Sequence, residues 1–154
     1  MMGLTWTVKA SFRAYVERLA DGSVVVSDGA QVAVDGGWTF GADPTVSAPV
    51  GVDGFLAFHG EVRFQAHGGL LVVRILDPWL TVVGERGELT ISTGSGRAAL
   101  VSLDIAQVDS PAGTATWAAT DVRLTPDGVE LFNGVYQAGE PFEPFTITLP
   151  LAPH

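Results

Sequence analysis

GFLAFHGEVRFQAHGGLLVVRIL, residues Gly54 to Leu76, decides the fold. Phe55, Leu56, Phe58, Val62 and Phe64 give a long β-type run over Gly54–Ala66, and Leu71 to Leu76 give a second over Leu70–Leu76. Such runs of aromatic and β-branched residues, bounded by turn residues, read as strands. Gly68-Gly69 between them is a hairpin signal, because paired glycines accept the positive φ angles of tight turns. His67 precedes that turn directly, at the rim of the predicted sheet.

The same rhythm extends in both directions. Ser23–Ser27, Gln31–Val34, Trp38–Gly41, Trp79–Val83, Glu88–Thr93, Ala98–Gln107, Thr114–Leu124 and Phe145–Leu149 read as further strands. Asp28-Gly29, Gly36-Gly37, Asp77-Pro78, Arg86-Gly87 and Gly94-Ser95-Gly96 punctuate them. Two segments break the pattern. From Thr7 to Ala20, Val8, Phe12, Tyr15, Val16 and Leu19 recur at helical spacing, with Thr5 or Thr7 as a possible cap and Asp21-Gly22 as the stop. Thr125-Pro126-Asp127 opens a short helical stretch to about Asn133, with Thr125 as N-cap and Pro126 at the first position. The expected fold is mostly β: an antiparallel β-sandwich or barrel-like domain with an N-terminal helix and a second short helix near the C-terminus. At 154 residues, positions 1–154 read as one domain with its own core.

Composition removes several functions. The net charge of -9 is the wrong sign for nucleic acid or an anionic membrane surface. The absence of cysteine excludes disulfides, thiolate metal sites, iron–sulfur clusters and thiol catalysis. Three histidines, His59, His67 and His154, are too few and too dispersed for an all-histidine zinc site. No serine-nucleophile motif, phosphate loop or HExxH is present. No signal peptide or apolar span is visible, so the chain reads as soluble: cytoplasmic if complete, secreted or cell-surface if excised from a longer protein. Tyr15 lies on the apolar side of the first helix; alone it reads as a buried ring with its hydroxyl on some acceptor, and His67 as a turn residue.

Longer motifs carry more. The opening Gly3 to Val16, GLTWTVKASFRAYV, and the stretch Gly60 to Val72, GEVRFQAHGGLLV, resemble the HtaA-type haem-binding domain of Gram-positive haem-uptake proteins. They match its "K-x-S-F-R-x-Y" helix and its "G-x-V-R-F-x-x-H-x-G-x-L" hairpin. Asp77-Pro78 and the closing Phe132 to Pro144, FNGVYQAGEPFEP, fit as well. The resemblance implies ferric haem b held by Tyr15 as axial metal ligand, with His67 hydrogen-bonded to it. Ser11 is placed one turn before Tyr15, where it faces a propionate or a helix carbonyl. Trp6, Phe12 and Phe64 are expected porphyrin neighbours or plain core. His59 departs from the family pattern; by strand alternation it would share a face with His67, and solvent exposure is its expected state. The implied function is haem uptake, transfer or storage, with a haem donor or acceptor protein as partner, and no enzymatic activity. The rivals are a structural or adhesion β-module of the same fold without haem, a carrier of another apolar ligand, and a peroxidase-like enzyme using Arg13 or Arg63.

Overall fold

The structure is a computed structural model, and it describes residues 2–151; His154 lies outside them. Twelve strands and two helices follow one another: β1 (Gly3–Trp6), α1 (Ala10–Arg18), β2 (Ser23–Ser27), β3 (Gln31–Val32), β4 (Trp38–Ala42), β5 (Gly54–His59), β6 (Glu61–Ala66), β7 (Leu71–Leu76), β8 (Trp79–Val83), β9 (Arg86–Ser92), β10 (Arg97–Val108), β11 (Thr114–Leu124), α2 (Pro126–Leu131) and β12 (Phe145–Pro150). The chain is mostly β, as expected.

Every pairing is antiparallel. The large sheet runs β1-β12-β11-β10-β9-β8-β5-β4, and β1 also pairs with β4, so eight strands close into a barrel-like ring; β3 adds a ninth on β4. A separate three-stranded sheet runs β2-β6-β7. Residues of both sheets and both helices form one continuous apolar cluster. Val62, Phe64, Val73 and Ile75 of the small sheet meet Leu80, Leu89 and Leu103 of the barrel within it.

The expected strand Gly54–Ala66 is two strands in two sheets, broken at Gly60. Gly60 has φ +128°, a conformation that side-chain-bearing residues avoid. Its N–H donates to Asp77 Oδ1 at 2.9 Å and its carbonyl accepts from the Asp77 N–H at 2.8 Å. A Cβ there would stand 2.6 Å from the Ala30 nitrogen. The backbone therefore turns out of the barrel at Gly60 and enters the small sheet.

Three other expectations change. Gly3–Trp6 is an edge-closing strand that no turn signal announced. The first helix spans Ala10–Arg18, not Thr7–Ala20, and neither Thr5 nor Thr7 caps it; Val8 has φ 70° and cannot be helical, while Glu143 Oε2 accepts from the Ala10 N–H at 2.7 Å. The hairpin loop is also longer than a two-residue turn. Ala66 pairs with Leu71, and His67, Gly68 and Gly69 form a 3-10 turn with φ of 55°, 63° and 93°. The second helix is capped as read: Thr125 Oγ1 accepts from the Gly128 N–H at 2.9 Å, and Pro126 starts the first turn.

Candidate functional site

The helix α1 buries only Phe12 and Val16 and so presents a narrow stripe of the opposite character. Ser11, Tyr15 and Arg18 stand at i, i+4 and i+7, which places them on one face. That face forms one wall of an open cleft of about 730 Å³ whose floor includes Phe12. The turn after β6 supplies His67, Leu70 and Leu71. The segment after α2 supplies Asn133, Val135 and Tyr136. The walls are tied together by Asn133, whose Nδ2 donates to the Leu70 carbonyl at 3.2 Å.

Tyr15 and His67, 52 positions apart, meet across the cleft: Oη and Nε2 are 2.9 Å apart. The hydroxyl donates when the ring nitrogen is bare and accepts when it carries the proton. Tyr15 remains 37% exposed, so its oxygen is reachable from solvent. Beside it, the Ser11 and Tyr136 hydroxyls share a hydrogen bond at 2.8 Å. Leu70, 86% exposed, and the half-exposed Val135 give the rim an apolar character.

The left-handed turn that carries His67 is held from outside the cleft. Asp21 Oδ2 accepts from the Gly68 N–H at 2.8 Å. The backbone N–H groups of Gly68 and then His67 hold the Asp21 carboxyl below the usual carboxylate range. Asp21, three residues past the end of α1, thus holds the turn that faces α1.

Of the residues singled out in the sequence, Tyr15, His67, Ser11 and Phe12 converge on the cleft. Trp6 and Phe64 do not border it. Trp6 is buried with its Nε1 donating to the Glu143 carbonyl at 2.8 Å, which ties β1 to the closing segment. Phe64 is buried edge-on to Phe12 and Trp38. His59 does not share a strand face with His67, because Gly60 separates β5, which His59 ends, from β6 of the small sheet, and His67 stands in the turn beyond β6. It is half-buried, with Nδ1 3.2 Å from the Asp28 carbonyl and the ring against Gly29 and Gly41. Arg13 lies over the Trp38 ring and Arg63 pairs with Glu61, so neither reaches the cleft. Asp21, Arg18, Asn133 and Tyr136 escaped the reading of single positions; Asn133 and Tyr136 stand within the closing motif, which was the available signal. Among the described residues, no group of three or more His, Asp or Glu side chains is placed to hold a metal ion.

Solved structures share this fold. The fold matches the C-terminal domain of HtaA from Corynebacterium glutamicum at 27% identity and TM-score 0.76, covering 97% of this chain and 95% of that one. It matches the N-terminal domain of the same protein at 22% identity and TM-score 0.76, covering 97% and 96%. The heme binding protein HtaB from that organism shares the fold at 18% identity and TM-score 0.69, covering 96% and 91%. No curated protein matches the sequence. The Htaa family model matches residues 2–148, nearly the whole length over which the motifs and the cleft are distributed, and the chain belongs to the HtaA family.

Proposed function

We propose that the chain is a haem-binding protein, acting as one unit in haem uptake, transfer or storage, in which Tyr15 is the axial ligand to ferric haem b and His67 supports it. The observation that carries this reading is the 2.9 Å Tyr15–His67 contact on the wall of an open, largely apolar cleft. A volume of about 730 Å³ lies within the range of small-molecule and cofactor sites. The donor set fits as well. A phenolate is a hard anionic ligand suited to Fe(III). Among the described residues no group of three or more His, Asp or Glu side chains stands ready for a bare metal ion.

Each side chain has a separate task. To hold iron, Tyr15 would bind as its phenolate. A hydrogen bond donated by His67 Nε2–H would hold that ligand oxygen in place. Phe12 on the floor and Leu70 at the rim offer apolar surface to a flat ring. The cleft is open, so a donor or acceptor protein can reach the ligand without unfolding the barrel. Among the described residues no helix is long and apolar enough to cross a membrane. We read the protein as a carrier.

The test is a hemin titration followed by absorption, for wild type, Tyr15→Phe and His67→Ala. Wild type should give a Soret band with the charge-transfer feature of high-spin ferric tyrosinate. Tyr15→Phe should lose that feature with most of the affinity. His67→Ala should keep it with affinity lowered roughly 10–100-fold, the usual cost of losing a group that supports a metal ligand. An unchanged spectrum in Tyr15→Phe would refute the ligand assignment, and no hemin binding by wild type would leave a structural module of the same fold.

A further inference from the structure

We infer that Arg18 is the carboxylate-recognising residue of the cleft, taking an acid group carried at the edge of the bound ring. The inference rests on the haem reading above, since the propionates are the acid groups of haem.

The sequence has eight lysines and arginines, and all lie within the described residues. Seven are engaged within the protein. Lys9 pairs with Glu140, Arg63 and Arg74 with Glu61, Arg86 with Asp104, and Arg123 with Asp121. Arg13 and Arg97 lie against the Trp38 and Trp79 rings, 4.9 and 3.7 Å from the centroids. Arg18 alone, among the described residues, has neither an ion pair nor a hydrogen bond nor an aromatic ring beneath it. It is also the only lysine or arginine on the cleft wall, and no carboxylate stands on that wall.

The position follows from the helix. Arg18 is one turn beyond Tyr15, about 4.5 Å further along the axis at 1.5 Å per residue. An arginine in a last turn complements the helix dipole wherever it points, so the dipole does not require this one to face the cleft. The surrounding field makes the location matter. On a chain of net charge -9, an anionic ligand approaches against the overall potential, and a local unpaired cation at the mouth reverses that where the ligand enters. The planar guanidinium fork matches a carboxylate with two parallel hydrogen bonds, which a lysine cannot reproduce.

The experiment compares hemin with hemin dimethyl ester, which keeps the iron and the ring but has no carboxylate. Affinities are read from Soret titrations of wild type, Arg18→Gln and Arg18→Lys. Arg18→Gln should weaken hemin roughly fivefold, the upper part of the range for a solvent-exposed charge pair, and leave the ester unchanged. Arg18→Lys should recover part of the loss for hemin alone. An equal effect of Arg18→Gln on both ligands, or no effect on either, overturns the role of Arg18 and leaves the Tyr15 reading standing. Failure of wild type to bind either ligand overturns both.

Discussion

Replacing Phe12 by alanine tests how the cleft is held in place. A helix as short as α1, nine residues long, is marginal on its own in water, so packing must hold it. Only Phe12 and Val16 supply that packing from within the helix. Phe12 is fully buried and meets Phe64 and Phe132 edge-on, with ring centroids 5.2 and 5.1 Å away, and Tyr136 at 6.4 Å. Deleting a buried phenylalanine costs about 3–5 kcal/mol, the sum of lost transfer energy and the cavity left behind. Three edge-on neighbours that cannot easily collapse inward place Phe12→Ala in the upper half of that interval. For a domain of this size, each kcal/mol lowers Tm by about 2–4 °C, so the melting point should fall by about 8–20 °C. The same variant should weaken hemin binding, because Phe12 is both cleft floor and the anchor of the helix bearing Tyr15. Urea unfolding followed by circular dichroism gives the stability, and hydrogen exchange locates the loss. Protection should drop first in α1 and last in β9–β11. A loss below about 1.5 kcal/mol, or a uniform loss of protection, would refute the view that Phe12 is what holds α1 down.

Gly60→Ala should cost about 2–5 kcal/mol, joining backbone strain at φ +128° to overlap with Ala30, and would be read as a lower urea midpoint with an unchanged m-value; a cost under 1 kcal/mol would contradict the hinge. Asp21→Ala should loosen the His67 turn at neutral pH, seen as faster amide exchange at Gly68 and faster hemin release. Because the Gly68 and His67 N–H groups lower the Asp21 pKa in the folded chain, the wild-type restraint is complete above the usual aspartate value of about 4 and fades as pH falls through the lower folded value. Wild-type release that steepens between pH 5 and 7 would therefore not come from Asp21, and unchanged Gly68 exchange in the variant would remove its role.

Much of the architecture was legible because local chemistry and global fold agree. The β-branched runs and glycine punctuation anticipated most strands, and Thr125-Pro126 announced α2 correctly to its first residue. The disagreements lie where a distant group decides. Gly60 reads as an ordinary strand glycine until Asp77 and Ala30 are brought against it. The start of α1 depends on Glu143, far along the chain, and on a left-handed Val8 that no propensity scale favours. In the site, Tyr15 and His67 were visible through the motifs that contain them, but their contact exists only in the folded chain. Arg18 looks like any solvent-facing base on an amphipathic helix. Its isolation emerges only after the partners of the other seven cations are known.

The placement of the first and last strands sets how the molecule would respond to mechanical load. Gly3 pairs with Thr148 and Trp6 with Phe145, so the chain enters and leaves the barrel side by side at one end of β1 and β12. Tension drawn between those two points loads the hydrogen bonds of this pair one rung at a time, as in opening a zipper, and does not shear them together. Once that seam is open, β1 is still paired with β4 and β12 with β11, and β1 leads directly into α1. The load would fall next on the β1–β4 pair, and through it on the helix bearing Tyr15, while β8, β9 and β10, on the far side of the ring, were still intact. Closure of the ring at the β1–β12 seam would be the most force-sensitive feature of the fold, and the β8–β10 arc the least.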